Sequence, residues 1–410
     1  MKSPPSRLIV VSTYPPDHSG VGKSAFDLLQ YVRLKREVKV VANLVPNWSP
    51  PHEGVVAVWT RGSPSFPFRA ALAVGRLQRG PPSIVTVNHH FLLYGGLPSN
   101  LGFLVLLFLL RLRGAKVGVE IHSVIDTAEL RATDSAQFRR LRGPLVRLGL
   151  RLFYRTIADL SELIRVPGLT SGRILSQEYG LDPARIRVVS PGWDQYGAPA
   201  TRAQTEHDQE EAAPTVLFHG FLDPTKGLEV LLDAFASLPP GFERVRLVLA
   251  GEVSPEIGSS GREYEHSLRD RIRELGLEHR VVLTGYLPEE ALVKVLAEAT
   301  VIALPYTMTV SRGGSAVLSR VGSLGRALIA SRISRFSDEL HDGVDAVLVA
   351  PGDVSELAQA IVRLLSDDST RVALGRQLRE ESTHRGWDTM ATEMERSVYS
   401  VLEAEGRTRG

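Results

Sequence analysis

Two consecutive α/β domains, each with a parallel buried sheet, are the fold this sequence predicts, and three observations predict it. Short runs rich in Val, Ile and Leu alternate with longer amphipathic stretches, from residue 8 and again from residue 215. The runs are apolar throughout rather than alternating, as strands covered on both faces are. A polar stretch, Gly197 to Pro214, contains DQEEAAP and reads as a linker between the two series. With 410 residues the chain is long enough for two cores. The expected division is a first domain over 1–196, a linker over 197–213, a second domain over 214–385 and a final helix over 386–410.

In the first half, LIVVST (8–13) reads as a buried strand. A Pro/Gly-rich loop follows, then a helix from about Lys23. Further strands are expected at 38–44, 55–59, 84–88 and 116–121, with helices between several of them. The run LGFLVLLFLL (101–110) is shorter than the roughly 20 residues needed to span a bilayer, and reads as a buried helix. The segment Arg139 to Arg155 mixes arginines with apolar residues. On a helix it would either lie on an anionic membrane surface or place its leucines in the core, and Gly143-Pro144 would break it.

The second half reads as TVLFHG, a helix at 227–237, RLVLAG, a helix at 263–275, VVLTG, a helix at 288–298 and VIALPY. The stretch Ser311 to Ser331 then forms a glycine-bearing loop, a helix, a glycine stop and a strand. A short helix near 336–341, the strand AVLVAP and a helix at 355–366 complete the series.

Composition is that of a soluble globular chain, 43% hydrophobic and 23% charged. With no cysteine, disulfides, thiolate chemistry and cysteine-based zinc sites are excluded. The apolar run before Pro15, about five residues, is too short for a signal peptide, so a cytoplasmic location is expected. Net charge is +2, but residues 1–196 hold 25 basic and 13 acidic residues, against 23 and 33 in the remainder. The first half therefore suits an anionic partner such as a phospholipid surface, a lipid-phosphate acceptor or nucleic acid; an ordinary solvated arginine-rich surface is the alternative.

Four places carry candidate chemistry. In PPDHSGVGKS (15–24) the GKS invites a phosphate-loop reading, but that spacing needs glycine at 17, where the chain has Asp17. Gly20 and Gly22 instead form a turn that either lets a ligand approach the backbone or merely packs tightly. In FHGFLDPTKG (218–227), Gly220 follows a strand and Lys226 precedes a helix. A cation at a helix start is disfavoured unless an anion is present, which makes Lys226 a phosphate ligand rather than a solvent lysine. His122, at the carboxyl end of KVGVEI, sits where α/β sheets bind ligands; a structural histidine is the alternative, and His89 and His90 are weaker candidates. In SRGGSAVLSR, the loop Gly313, Gly314 and Ser315 at a helix start offers backbone N–H groups to a diphosphate. No spacing typical of metal ligands occurs.

These motifs, with EIHS (120–123), EYGLDPARIRVVSPGWD (178–194), VLAGE (248–252), RVVLTGYLPEEAL (280–292), ALPYT (303–307), GRALIAS (325–331) and the ending GWDTMATEMERSVYSVL (386–402), resemble GT-B glycosyltransferases. The resemblance is to the retaining group 1, or family 4, enzymes, bacterial mannosyl- and glucosyltransferases. It runs nearly end to end and is densest over 214–366. It implies two Rossmann-like domains with a cleft between them and a last helix crossing back to the N-terminal domain. It implies a nucleoside-diphosphate sugar as donor substrate, no cofactor, no metal, a lipid-linked or polysaccharide acceptor and no nucleic acid. By resemblance, Gly20 lies against the donor diphosphate and His122 contacts the sugar. Lys226 holds the diphosphate, Gly285, Tyr286 and Leu287 border the nucleobase, and 313–315 donate to the phosphates.

The chain departs from the family at two glutamates eight apart, one contacting a sugar hydroxyl and the other the ribose diol. Arg312 and Arg320 stand there, and Phe221 replaces a family arginine. Arg312 suits phosphate and could restore that lost cation, whereas Arg320 has donors only and cannot accept from a diol. It either donates to ribose oxygens or serves the helix surface. The expected function is sugar transfer with retention; a weakly active or inactive binding partner of another transferase, or a nucleotide-sugar epimerase, are the alternatives.

Overall fold

The computed structural model describes residues 7–17, 19–45, 53–80, 83–132, 143–196, 213–253, 259–307 and 311–408. The chain forms two compact units. The first comprises Met1–Gly192, Val310–Ala316 and Trp387–Gly410; the second comprises Trp193–Thr309 and Val317–Gly386. The linker expected over 197–213 lies outside the described residues except at its last position.

The first unit begins β1 (Arg7–Val11), α1 (Gly20–Val32), β2 (Glu37–Asn43), β3 (Val55–Trp59), α2 (Phe66–Leu77), β4 (Ser83–His89) and α3 (Leu97–Leu112). It continues with β5 (Lys116–Ile121), β6 (Val124–Ile125), α4 (Thr127–Ala132), α5 (Pro144–Leu160), β7 (Leu163–Val166), α6 (Leu169–Arg173) and β8 (Ile186–Val188). Seven parallel strands stand in the order β3-β2-β1-β4-β5-β7-β8, so the order reverses at β1 and β4. The apolar run of β1 is explained by covering on both faces. Leu8 and Val10 pack with Ala25, Leu28 and Val32 of α1 and with Trp387, Met390 and Met394 of the final helix. Ile9 and Val11 pack into the core roofed by α2, α3 and α5.

The second unit holds β9 (Thr215–His219), α7 (Leu228–Ala236), β10 (Arg246–Ala250), α8 (Ser259–Glu274), β11 (Val281–Gly285), α9 (Glu289–Glu298) and β12 (Val301–Leu304). The chain returns to the first unit for β13 (Ser311–Arg312), which pairs antiparallel with β6. It then forms α10 (Ala316–Val321), β14 (Ala327–Ser331), α11 (Ser334–Ser337), β15 (Val347–Val349), α12 (Val354–Ser366) and α13 (Asp368–Ser382). The sheet order is β11-β10-β9-β12-β14-β15, again parallel, with its reversal at β9 and β12. The last helix, α14 (Trp387–Thr408), belongs to the first unit, where Arg36 of the α1 turn pairs with Glu395.

Several expectations change. Helix α1 starts at Gly20 rather than near Lys23, because the Ser19 side chain accepts the Gly22 amide and caps it. The helix after the Gly313-Gly314 loop is only Ala316–Val321, followed by a tight turn to Gly325 at φ 69°. The 101–110 run is not a buried helix. Phe103, Leu106, Leu107 and Leu110 are buried, but Leu101, Val105, Phe108 and Leu112 face out. Most leucines of the 139–155 segment stay out of the core: Leu145, Leu148 and Leu152 are exposed, Leu150 alone packs against the core among those described, and α5 fully buries only Tyr154, Ile157 and Ala158. Gly143-Pro144 starts that helix instead of breaking it, since Pro144 occupies the first helical turn. Residues 139–142 lie outside the described part.

Candidate functional site

In open parallel sheets ligands bind beyond the carboxyl ends of the strands where the order reverses. In the first unit that edge lies at the ends of β1, β4 and β5.

The loop after β1 is built around Asp17. Its carboxylate accepts from the Ser19 amide at 3.0 Å, Asn43 Nδ2 at 2.7 Å and Arg61 Nη2 at 2.6 Å. Asp17, the residue that spoils the phosphate-loop spacing, is thus a structural anchor. Gly20 opens α1 with free space where a Cβ would stand. Gly22 is buried, its amide is taken by Ser19, and a Cβ would press on Ser19 and Thr13. Close packing explains Gly22, and only Gly20 faces outward.

His122 follows β5. Its Nε2 lies 3.7 Å from Glu120 Oε1, and Arg165 Nη2 reaches Glu120 Oε2 at 2.9 Å. Burial pushes the His122 pKa down and Arg165 adds to this, against the pull of Glu120. Burial works to raise Glu120, but Arg165 and His122 outweigh it and hold the carboxyl below its usual range. With the imidazole neutral above its lowered pKa, the Arg165 guanidinium is the charge that keeps the Glu120 carboxylate ionised. Next to it lies a cavity of about 30 Å³, whose wall includes Thr86, Asn88, Glu120 and His122. Thr86 Oγ1, Asn88 Oδ1 and His122 Nε2 are buried there without hydrogen bonds among the described residues. The rest of the wall is largely apolar, with Val10, Leu28, Leu29, Trp387 and Met390, and the space is large enough for a water at these polar atoms.

The Gly313-Gly314 loop comes to this same edge. A Cβ on Gly313 would collide with the His122 carbonyl oxygen, and one on Gly314 with the Pro191 ring. Two residues 191 positions apart in sequence are therefore brought side by side in the first unit. Ser315 is buried. The Arg312 side chain lies outside the described part. His89 is a core residue: it packs between Phe91, Phe103 and Phe153, its Nε2 meets Asn100 Oδ1 at 3.0 Å, and burial pushes its pKa down to about 3. His90 stays in the loop, where its Nδ1 accepts the Leu92 amide.

In the second unit the corresponding edge lies at the ends of β9 and β12. Gly220 (φ 141°) and Gly251 (φ 155°) cross so closely that a Cβ on Gly251 would strike the Gly220 carbonyl. Lys226 sits in a tight turn, its Nζ 3.6 Å from Asp223 Oδ2 and 4.3 Å from the centre of the Tyr306 ring. The ring and the carboxylate hold the ammonium at the edge. Gly227, at φ 68°, permits the turn; a Cβ there would meet the Pro305 carbonyl. Gly285, at φ 66°, ends β11, with Tyr286 exposed and Leu287 partly buried beside it.

Arg320 is committed. Its Nη2 lies 2.9 Å from Glu289 Oε2, while the Tyr196 hydroxyl donates to Glu289 Oε1 and Asp194 Oδ2, both at 3.1 Å. Burial works to lower the Arg320 pKa, but Glu289, Tyr196 and Asp194 together raise it. The sequence reading missed Glu289, Tyr196 and Asp194, which carried no local signal. It also missed Glu120 and Arg165, although an arginine inside the otherwise apolar strand LIRV was a readable sign. Among the described residues no group of three or more metal-ligating side chains occurs.

Comparison with known proteins agrees with this architecture. Residues 213–367 match the family model of "Glycosyl transferases group 1". A D-inositol 3-phosphate glycosyltransferase of Corynebacterium efficiens is 29% identical over 262 residues, covering 61% of this chain and 59% of the relative. The chain thus spans about three fifths of the length of the curated relatives it first matches. HepE of Anabaena, solved in complex with UDP and glucose, superposes at a TM-score of 0.72 and 17% identity over 97% of this chain and 100% of that one. The sucrose-phosphate synthase of Thermosynechococcus elongatus does so at 0.74 and 18%, over 97% and 100%.

Proposed function

We infer, for a chain that carries a group 1 glycosyltransferase domain over residues 213–367 on a two-domain GT-B fold, that it transfers a sugar from a nucleoside-diphosphate donor. The observation that carries this reading is Lys226, a cation held at the carboxyl edge of the second sheet by Asp223 and Tyr306 and set beside a turn that only glycine allows. A fixed positive charge there would stabilise a departing diphosphate with little reorganisation. That HepE binds UDP and glucose on the same fold supports a nucleotide-sugar donor.

The acceptor in this reading is lipid-linked or a growing polysaccharide, and transfer proceeds with retention and without a metal. His122, kept neutral, donates or accepts a hydrogen bond at the transferred sugar, and Glu120 orients it. Gly20 leaves room for the donor, and the 313–315 loop and Arg312 serve phosphate oxygens. Gly285, Tyr286 and Leu287 border the base. Arg320 cannot accept from the ribose diol, but Glu289 at 2.9 Å presents a carboxylate beside it and takes that role.

A thermal-shift screen against nucleoside diphosphates and their sugars, followed by a sugar-release assay, tests the reading. Stabilisation by one nucleotide class with turnover of its sugar is expected. Stabilisation without turnover would favour a binding partner of another transferase, and interconversion of the donor sugar an epimerase.

A further inference from the structure

The outer surface of the first unit carries a feature that sugar transfer does not use. Helices α2, α3 and α5 roof one face of the sheet. A Cβ on Gly102 of α3 would touch the Phe66 ring at the start of α2, and one on Gly75 would touch Arg113, so α2 and α3 lie side by side. Phe153 of α5 stands 6.3 Å from Phe103 of α3, which places α5 on the other flank.

All three helices turn apolar residues outward. On α3 these are Leu101, Val105, Phe108 and Leu112, one stripe at helical spacing, with Leu101 and Leu112 67% and 68% exposed. On α5 they are Leu145, Leu148 and Leu152, the first 80% exposed. On α2 they are Phe68 and Leu72. By contrast, among the described residues the whole second unit exposes four large apolar side chains, Val282, Tyr286, Val344 and Val372. Exposed apolar side chains concentrated on three neighbouring helices mark an interaction site.

The charge around the stripe is predominantly positive, Arg111 at its end being paired with Glu162. Arg69, Arg76, Arg147 and Arg151 are exposed on these helices and pair with no acidic side chain among the described residues. The three helices contain a single acidic residue, Asp159, in the last turn of α5 and two turns beyond Leu152. A second copy of the same surface would be repelled by these arginines. From Leu101 to Leu110 the stripe offers no hydrogen-bonding side chain by which to recognise a particular protein. An anionic bilayer needs none, since it takes up apolar side chains below a layer of phosphates that pair with arginine. No helix among the described residues is long and apolar enough to cross a membrane.

The position of α5 ties this surface to the candidate site. Phe153 is level with His89, the last residue of β4, at 5.3 Å. The middle of α5 therefore lies beside the carboxyl edge of the sheet, the edge that also carries His122.

We propose that the outer face of α2, α3 and α5 docks on an anionic phospholipid bilayer by inserting its leucines and phenylalanines beneath a rim of arginines, and so presents the carboxyl edge of the first sheet to the membrane surface. This goes beyond sugar transfer and does not depend on which sugar or acceptor is used.

The test uses the full chain and flotation with vesicles of phosphatidylcholine alone or with about one third phosphatidylglycerol. Wild type is expected to float with the anionic vesicles at low salt and to be weakened by salt. Leu148→Ser with Leu152→Ser, and separately Phe108→Ser, are expected to reduce partitioning at least about tenfold, as is Arg147→Gln with Arg151→Gln. Thermal unfolding and nucleotide binding, measured on the same samples, should stay at wild-type values, which separates failure of the surface from failure of the transferase reading. No flotation of wild type, or flotation of the leucine and phenylalanine variants equal to wild type, overturns the proposal. So does a wild-type dimer in sedimentation that those variants dissociate.

Discussion

Arg320 Nη2 lies 2.9 Å from Glu289 Oε2, joining a helix residue to the start of another helix 31 positions earlier in sequence. Where the resemblance to group 1 enzymes leads one to expect a carboxylate for the ribose diol, this chain has a cation with a carboxylate bound to it. Glu289→Ala is expected to weaken nucleoside diphosphate binding about tenfold while leaving pyrophosphate binding unchanged, because only the former has a ribose. A cycle of Glu289→Ala and Arg320→Ala in calorimetric titrations should show coupling of about 1 kcal/mol, modest because Glu289 is half exposed. Equal losses for pyrophosphate and nucleotide would remove Glu289 from ribose recognition.

Lys226 is held by Asp223 and by the face of Tyr306. Lys226→Ala should weaken nucleoside diphosphate binding about tenfold, or 1.4 kcal/mol, with little change in folding stability. Unchanged affinity would reject its role at phosphate.

Gly227 and Gly276 share a left-handed backbone, at φ 68° and 66°, but only Gly227 has a neighbour where a Cβ would stand. Gly276→Ala should cost about 1 kcal/mol in denaturant unfolding through backbone strain alone. Gly227→Ala should cost at least about 2 kcal/mol, since the added carbon must displace the Pro305 carbonyl. Similar losses for the two variants would mean that the turn can move away.

Glu339 is buried against Trp193, whose Nε1 donates to it at 3.3 Å, with Arg385 Nη1 also at 3.3 Å. Burial outweighs Arg385 and pushes its pKa up to about 7. A carboxyl with a raised folded pKa favours folding while protonated. Its contribution is complete below the unfolded value near 4.5, falls as pH rises from there to about 7, and is then lost, a span of about 3 kcal/mol. Glu339→Gln, which stays neutral, should flatten stability against pH between 4.5 and 7 and stabilise the protein at pH 8. A variant with the wild-type slope would place the titration elsewhere.

The strands were legible because each is an apolar run whose composition alone demands burial on both sides; β1, β4, β9 and β12 lie within two residues of where the sequence puts them. The placement of Lys226 and His122 at a turn and a strand end was legible because each follows a short apolar run that ends in turn chemistry. The outward faces of α3 and α5 were not. Hydrophobicity says that a residue avoids water, and LGFLVLLFLL is apolar all round, so the sequence offers no way to choose the buried side. Likewise nothing near Arg320 names Glu289.

By itself, then, the sequence determined two parallel α/β sheets and the turn and strand-end positions of Lys226 and His122. Those follow from local patterns of burial and turn chemistry that act over a few residues. Tertiary structure alone decided which residues meet across long separations: Gly313 against His122, Glu289 against Arg320, and an apolar helix surface left uncovered beside arginines. Such pairings depend on how whole elements pack, and no local preference encodes them.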